Sequence, residues 1–302
     1  MPPKSEHISV CICTYKRPAM LKQLLSKLEG QETEGLFDYS IVVVDNDVSE
    51  SARSAVESFA LQSAIAVSYH VEPEQNIALA RNKVVAHAVG EYLAFIDDDE
   101  FPNRNWLMIL YKAMVQYKAD GVLAPVLPHF ESEPPAWVRK GSFFDRPTHP
   151  NGHVLAWKNT RTGNVLIKRA LFEKGQTWFD PSMGSGGEDR DFFKRKIEEG
   201  YVFVWCNEAP AFEIIPPARW KRTTLLKRAL VRGKMALNKS SSRSLSVFKS
   251  MIAVVVYTAC LPFALFMGHH RFMRYLIKNC DHLGKVLAFC GIDWVKEKYV
   301  GV

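Results

Sequence analysis

The stretch Tyr92-Leu93-Ala94-Phe95-Ile96-Asp97-Asp98-Asp99-Glu100 joins a short apolar run directly to a row of carboxylates. A run of five apolar residues is typical of a buried strand. Carboxylates held this close together repel one another, and a hard divalent cation bound between them relieves that repulsion. A solvated acidic turn is the alternative, because aspartate is common in turns. The stretch therefore predicts either a metal site at the end of a strand or a plain surface turn.

Strands and helices alternate before this stretch. The apolar patterns predict strands over 7–13, 40–44, 64–71 and 92–96, and helices over 19–28, 51–62 and 77–89. Such alternation is typical of an α/β fold with a parallel sheet, and ligands then bind at the carboxyl ends of the strands. Further along, we expect helices over 106–117 and 189–199, strands over 121–127, 165–168 and 201–205, and a long surface loop over 129–152.

Composition describes an ordinary globular chain with an uneven charge distribution. The 302 residues are 47% hydrophobic and 24% charged, which excludes an intrinsically disordered protein. Residues 214–302 hold 16 Lys and Arg against 3 Asp and Glu, a balance of +13, whereas residues 1–213 carry −6. We therefore predict a domain boundary near Pro216-Pro217, between an α/β domain over 1–215 and a basic helical region over 216–302.

The basic region encloses an uncharged run, Met251–Met267, interrupted by Pro262. The run is slightly short for a transmembrane helix, and basic residues lie on both sides of it, which argues against a simple crossing. We expect a segment over about 247–268 that enters one leaflet as part of a helix pair and returns. A buried packing helix and a true span are the alternatives. A membrane surface, and not nucleic acid, is thus the expected partner of the basic residues.

The cysteines and the amino terminus indicate a cytoplasmic location. The six cysteines show no paired framework, so we expect reduced core residues. Residues 1–6 lack the apolar segment of a signal peptide. The chain is expected at the cytoplasmic side of a membrane.

Five sequence blocks in order resemble the family 2 glycosyltransferases over about residues 7–215. They are Ser9-Val10-Cys11-Ile12-Cys13-Thr14-Tyr15-Lys16-Arg17-Pro18, Val43-Val44-Asp45-Asn46, Asn76-Ile77-Ala78-Leu79-Ala80-Arg81-Asn82, Asp97-Asp98-Asp99 and Gly186-Gly187-Glu188-Asp189. Within that family the chain is similar to exopolysaccharide glucosyltransferases of the succinoglycan-pathway type. The resemblance implies a GT-A fold, a UDP-sugar donor, Mg²⁺ or Mn²⁺, and inversion at the anomeric carbon.

The resemblance also implies roles on the donor side. Thr14, Tyr15 and Arg17 would face the diphosphate, although a mere connecting turn is the alternative there. Asp45 would accept the imide hydrogen of uracil. Arg81 would pair with a phosphate or a carboxylate, or else be a solvated helix arginine.

The three aspartates receive separate roles. The resemblance assigns Asp99 mainly to the metal and Asp97 to ribose or metal. Because side chains alternate along an extended segment, Asp98 is expected to point the other way, toward a structural partner.

Glu188 and Asp189 are the candidate catalytic residues. Transfer to a hydroxyl needs a base, and a carboxylate at the start of a helix is held there by the helix dipole. By resemblance Asp189 is the base, and Glu188 would position the acceptor hydroxyl. An acidic pair that only caps the following helix is the alternative.

Arg219-Trp220 is similar to the Gln-x-x-Arg-Trp signature of processive members, but Pro216 stands where the glutamine would be. This favours addition of a single hexose to a lipid-linked glycan. Arg219, Trp220 and Arg222 are weaker candidates for contacts with the acceptor or its phosphate, and a solvated basic surface is equally compatible with them. A nucleotidyltransferase is disfavoured because residues 7–18 lack the glycines of a phosphate loop. A binding scaffold without catalysis is the rival outside the enzymes.

Overall fold

The computed structural model describes residues 6–172, 177–184, 186–238 and 242–292. The chain divides into two compact units. The sheet unit comprises residues up to 128 together with 146–214, and the helical unit comprises 129–145 together with residues from 215 onward. The assignment of catalysis to 1–215 and of membrane association to 216–302 stays a prediction.

Strands and helices alternate through most of the sheet unit, and one short helix, α5, belongs to the helical unit. In chain order the elements are β1 (Glu6–Thr14), α1 (Pro18–Leu28), β2 (Phe37–Asp45), α2 (Arg53–Gln62), β3 (Val67–Val71), α3 (Ile77–His87), β4 (Tyr92–Phe95), β5 (Glu100–Pro102), α4 (Trp106–Tyr117), β6 (Gly121–Leu123), β7 (Val126–His129), α5 (Ala136–Gly141), β8 (Val165–Lys168), α6 (Glu188–Glu198), β9 (Phe203–Trp205) and β10 (Ala211–Ile214). The α/β class is confirmed.

The central sheet is mostly parallel. In the described part of the chain, seven strands pair in the order β3-β2-β1-β4-β8-β6-β9. Strand β8 runs antiparallel to both β4 and β6, and the other pairs in this sheet are parallel, so the prediction of a mostly parallel central sheet is confirmed. Thr14 is level with Asp45 in the parallel β1–β2 pair, so these two strands end together at one edge of the sheet.

Helices cover both faces of this sheet, which explains why its strands are apolar on both sides. One face of β1, with Ile8 and Val10, packs in the same core as the leucines of α1. The opposite face, with Cys11, packs in a second core that includes Phe192 and Phe193 of α6. The strand ends are thereby fixed against helices on either side.

A smaller sheet, in the order β5-β10-β7, lies within the described residues of the chain. The predicted strand over 121–127 is in fact two strands, β6 and β7, that belong to different sheets and are separated at Ala124-Pro125. Proline has no N–H group for a sheet ladder, which suits a break at this point. In the small sheet Glu100 of β5 pairs with Glu213 of β10.

The helical unit contains α5 and three long helices, α7 (Arg222–Asn238), α8 (Arg243–Phe266) and α9 (His269–Phe289). Both α7 and α8 pack against α9. Glycine is required where α7 meets α9, because a Cβ at Gly233 would lie 2.1 Å from the Asp281 carbonyl oxygen. The turn before α9 uses Gly268 at φ +112°. A helix pair, α8 and α9, thus exists at the predicted place.

Helix α8 exposes apolar side chains on one face. It is the one helix in the described ranges that is long and apolar enough to cross a membrane. Val255, Phe263 and Phe266 are 69%, 72% and 92% exposed, and the spacing of three to four residues between exposed positions puts them on a common stripe. The alternative of a buried packing helix is therefore wrong for this face.

The cysteines are unpaired. Cys11 and Cys206 are buried, as expected of reduced core residues. Cys290 is exposed because it follows the last residue of α9, so the prediction of a core role for every cysteine is wrong.

Candidate active site

The carboxyl ends of β1, β2 and β4 bring the predicted donor-side residues to one edge of the sheet. Thr14 ends β1, Asp45 ends β2, and Asp97 follows β4 by two positions. Because parallel strands present their carboxyl ends at the same edge, residues distant in sequence meet there.

Asp98 has structural partners, as predicted, but it does not point away from Asp99, because residues 98 and 99 form a turn and not an extended segment. Its side chain is 7% exposed, accepts a hydrogen bond of 2.8 Å from the Thr14 hydroxyl, and lies 3.0 Å from the Arg17 guanidinium. The same guanidinium nitrogen lies 3.1 Å from Asp99. Burial raises the pKa of Asp98, and Arg17 opposes that shift. Thr14 and Arg17 thus connect the end of β1 to residues 97–99, the acidic loop.

The rest of the loop between β1 and α1 is more open. Tyr15 is half-buried, and the Lys16 ammonium lies 5.1 Å from the centre of its ring. Lys16 adopts φ +55°, the left-handed region that non-glycine residues rarely enter. Pro18 begins α1 at a position where its missing N–H costs nothing. The predicted diphosphate contacts of Thr14, Tyr15 and Arg17 stay predictions, since Thr14 and Arg17 are seen holding carboxylates.

Asp97 and Asp99 differ in exposure. The Asp97 side chain is 46% exposed, whereas that of Asp99 is 13% exposed. Burial raises the pKa of Asp99 to about 7, and the neighbouring Asp98 and Asp97 carboxylates add to the shift. No group of three or more His, Cys, Asp and Glu side chains within the described ranges is arranged to hold a metal ion. The two carboxylates nevertheless fit a hard cation, since carboxylate oxygens are the ligands that Mg²⁺ and Mn²⁺ prefer.

Asp45 is engaged entirely within the protein. Its residue is 0% exposed, and its carboxylate accepts hydrogen bonds from the Ala52 N–H at 2.8 Å and the Tyr69 hydroxyl at 3.0 Å. Burial raises the pKa of Asp45, and these two donors partly offset the shift. The observed role of Asp45 is to hold β2, β3 and the start of α2 together, and the uracil contact stays a prediction.

Arg81 contacts both an aspartate that follows β4 and the acidic start of α6. On α3 it forms an ion pair with Glu188, which is 2% exposed, and its guanidinium lies 3.8 Å from the Asp97 carboxylate. The alternative of a solvated helix arginine is wrong, because only 12% of the Arg81 side chain is exposed. This contact places the first residue of α6 beside the aspartates that follow β4.

The amino end of α6 presents Asp189. The capping residue is Gly187 at φ +101°, which has no side chain to cap the helix. Glu188 turns instead to Arg81, so the alternative of a merely capping pair is wrong for Glu188. Asp189 lies in the first turn, half-buried, and one of its oxygens accepts the Arg190 N–H at 2.7 Å. A carboxylate here is stabilised by the positive end of the helix dipole.

A second charged cluster beside Asp97 escaped sequence reasoning. Arg146 lies 2.5 Å from Glu213, which is buried in β10. Glu100 is 1% exposed, and burial, followed by the Asp97 charge, raises its pKa well above the usual range. Burial and the nearby Arg146 lower the pKa of Arg161 to about 10. These residues lie on separate parts of the chain, so no sequence spacing connects them.

The weaker candidates lie in the helical unit. Trp220 is 8% exposed and packs in an aromatic cluster with Phe130. The Arg219 guanidinium lies 5.9 Å from the Phe144 ring, and that of Arg222 lies 5.9 Å from the Trp137 ring. Trp220 therefore has a packing role, and an acceptor or phosphate contact by any of the three predicted residues stays a prediction.

The sequence comparisons with known proteins agree with one another. The sequence profile described as "Glycosyl transferase family 2" matches residues 9–176, more than half of the chain. "Succinoglycan biosynthesis protein ExoM" of Rhizobium meliloti (strain 1021) is 30% identical, over 98% of this chain and 97% of its own length. "Chondroitin synthase" of Escherichia coli is 25% identical over 72% of this chain, which spans 36% of that protein.

Among solved structures, S. aureus TarS 1-349 in complex with UDP-GlcNAc superposes with a TM-score of 0.54. The match covers 96% of this chain and 93% of TarS 1-349 at 14% identity. At that identity the likeness concerns the fold alone, and it agrees with the GT-A architecture expected from the sequence.

Proposed function

The chain belongs to glycosyltransferase family 2, and from this premise we propose that it moves one hexose from a UDP-sugar, with inversion, to a hydroxyl of a lipid-linked glycan. We place the reaction at the cytoplasmic face of a bacterial inner membrane, in the synthesis of a surface polysaccharide. The name of the succinoglycan relative supports a role in polysaccharide synthesis.

The contact of Arg81 with both Glu188 and Asp97 carries the proposal. An inverting transfer needs donor-side carboxylates and a base close together, because the acceptor oxygen attacks the carbon from which the diphosphate departs. Arg81 joins the helix that bears Asp189 to the loop that bears Asp97. This contact supports a site with both halves within the sheet unit.

On the donor side, Asp97 and Asp99 would hold Mg²⁺ or Mn²⁺. Such an ion, when bound, neutralises charge on a departing diphosphate. The protein's own contribution is positional. Thr14 and Arg17 hold Asp98, and Arg17 also holds Asp99, so the orientation of the acidic loop is set before any ligand arrives.

On the acceptor side, Asp189 would take the proton of the attacking hydroxyl. Its neighbour Glu188 is held by Arg81, and this fixes the start of α6. Gly186 and Gly187 have φ of +127° and +101°, so a side chain at either position is strained. Because these two glycines have no side chains, a sugar ring can come close to the Asp189 carboxylate, which would act as the base.

The membrane part of the proposal rests on α8. Its exposed apolar stripe and the excess of basic residues after 213 suit a helix pair that enters one leaflet of a membrane with anionic lipids. The acceptor, if it is lipid-linked, is then met at the same surface.

The proposal is tested by offering the purified full chain a panel of nucleotide-sugars, with and without Mn²⁺, and measuring nucleotide release. We expect metal-dependent release of UDP from one donor, and none from GDP- or CMP-sugars. Asp99→Ala is expected to abolish the release, while Asp38→Ala, an exposed position at the other end of β2, is expected to retain it.

If no donor is consumed, a membrane extract containing lipid-linked acceptors is added. Release that appears only with the extract supports transfer and names the donor. Continued lack of release, with UDP binding intact, would favour the non-catalytic binding scaffold instead.

A further inference from the structure

Arg161 differs from the other arginines near Asp97. Arg17, Arg81 and Arg146 each have a carboxylate oxygen within 4.0 Å. Among the residues that the structure describes, none forms an ion pair or hydrogen bond with the Nε or Nη2 atom of Arg161, although both atoms are buried. A buried donor without an acceptor is costly, so these two atoms need a partner from outside the protein or from ordered water.

The two unpaired nitrogens have a specific geometry. Nε–H and Nη2–H lie on the same edge of the planar guanidinium and point in nearly the same direction. This edge matches two oxygens of one phosphate or one carboxylate, the bidentate arrangement for which arginine is the preferred residue. The ring of Trp205 lies 6.0 Å from the guanidinium carbon and is itself 1% exposed, so the group rests on a fixed surface.

Arg161 also lies on the segment that touches the donor-side carboxylates. Two residues later, a Cβ added to Gly163 would lie 3.1 Å from an Asp97 oxygen and 3.0 Å from a Glu100 oxygen. The segment therefore approaches Asp97 so closely that only glycine fits there without a shift. The segment that bears Arg161 therefore passes beside the Asp97 side chain, which is 46% exposed and interacts electrostatically with Arg161.

Charges of both signs surround Arg161. The carboxylates of Glu100, Asp97 and Glu213 favour its positive charge, but none of them contacts its Nε or Nη2 atom. Arg146 is close enough to disfavour the positive charge of Arg161, and the Arg146 charge is already balanced by Glu213 at 2.5 Å. At its Nε and Nη2 atoms, Arg161 has no hydrogen-bonded counter-charge among the described residues.

We propose that Arg161 binds a phosphoryl group of the nucleoside diphosphate through its Nε–Nη2 edge. The inference rests on the proposed function and adds a residue to it. In the transfer step, the bond between the anomeric carbon and the β-phosphate oxygen breaks, and its electron pair leaves with UDP. The acceptor oxygen forms the new bond, and Asp189 takes its proton. Arg161 stabilises the negative charge that develops on the departing phosphate.

The experiment compares Arg161→Met with the unchanged full chain in the affinity for UDP and for uridine, by calorimetry with Mn²⁺ present. Charge-assisted hydrogen bonds of this kind predict that Kd for UDP rises about 10- to 100-fold, while Kd for uridine changes less than about twofold. Arg161→Lys is expected to lie in between, because a lysine keeps the charge without the fork. Arg104→Met, at an exposed arginine on another loop, is the matched control and is expected to bind UDP normally.

Added guanidinium ion at millimolar concentration is expected to restore part of the UDP affinity of an Arg161→Ala variant. Equal weakening of UDP and uridine would show a structural role and overturn the proposal, as would unchanged UDP affinity in folded Arg161→Met. Unchanged UDP affinity with a raised KM for an acidic acceptor would assign the edge to an acceptor carboxylate instead. Absence of UDP binding by the unsubstituted chain would overturn the proposed function itself, which separates the two failures.

Discussion

The carboxyl edge of the central sheet and helix α8 place side chains in opposite ways. At the sheet edge, charged groups such as Asp98, Glu188 and Glu213 are buried and paired with arginines. On α8, apolar groups such as Phe263 and Phe266 are exposed. Both arrangements cost free energy in a soluble monomer, because buried charges lose hydration and exposed apolar surface orders water.

This difference indicates that the sheet edge suits charged ligands, whereas the exposed face of α8 suits an apolar environment. At the sheet edge, arginines and carboxylates already hold one another in position, and this is where our proposal puts the donor diphosphate. The exposed stripe of α8 is arranged for an apolar surrounding.

Arg81→Met is the strongest test at the sheet edge. Glu188 is 2% exposed, and removal of its partner would leave a buried carboxylate without a counter-charge. We expect the free energy of unfolding to fall by about 3–5 kcal/mol, measured by urea denaturation. Glu188→Gln in the same background is expected to recover part of the loss. The exposed pair Lys112–Glu34 provides the control, since Lys112→Met is expected to cost less than about 1 kcal/mol; equal losses in both would contradict the comparison.

Phe266→Ser tests the exposed stripe. The side chain is 92% exposed in the chain alone, so the substitution is expected to leave the fold intact. Binding to vesicles of anionic lipid is expected to weaken by about 1.5–3 kcal/mol, which is about 10- to 150-fold, measured by sedimentation of the vesicles. Leu61→Ser, at a position of the sheet unit that is 89% exposed, is expected to bind vesicles normally. Equal binding by Phe266→Ser and the unchanged chain would remove α8 from the membrane contact.

The pH dependence of stability tests the crowding of carboxylates at Asp99. Its folded-state pKa is raised to about 7 from an ordinary value near 4. Between these values the folded state keeps a proton that the unfolded state releases, so stability falls as pH rises from about 4 to 7. Without metal, the contribution of Asp99 is expected to reach a slope of about −1.4 kcal/mol per pH unit. Asp99→Asn is expected to flatten this part of the profile, and an unaltered profile would show that Asp99 titrates normally.

The sequence predicted most elements of the sheet unit because their patterns are local. The helix over 106–117 and the strand over 165–168 were predicted with the bounds that the structure has. The direction of β8 was not, since a four-residue apolar run reads the same in a parallel or an antiparallel strand. Strand β5 escaped as well, because three residues ending in Pro102 give no alternation to recognise.

The candidate site was predicted in part for the same reason. Residues adjacent to strand ends, such as Asp97, were identified from their position, whereas the alternation expected at Asp98 fails because residues 98 and 99 form a turn. Arg146 and Arg161 were missed because they come from irregular segments and reach the site only through tertiary packing. The neighbouring Gly163-Asn164 was the one local signal, since both lie where a close approach or an unusual backbone is needed: Asn164 has φ +55°.

The most direct measurement of the central claim compares Asp189→Asn with the unchanged chain in hexose transfer and in UDP affinity. General base catalysis predicts a loss of transfer of about 10²- to 10⁴-fold, with Kd for UDP unchanged within about twofold. Asp191→Asn, two residues along the same helix and paired with Arg195, is the matched control and is expected to keep most of the activity. Comparable turnover in Asp189→Asn and the unchanged chain would contradict the assignment of Asp189 as the base.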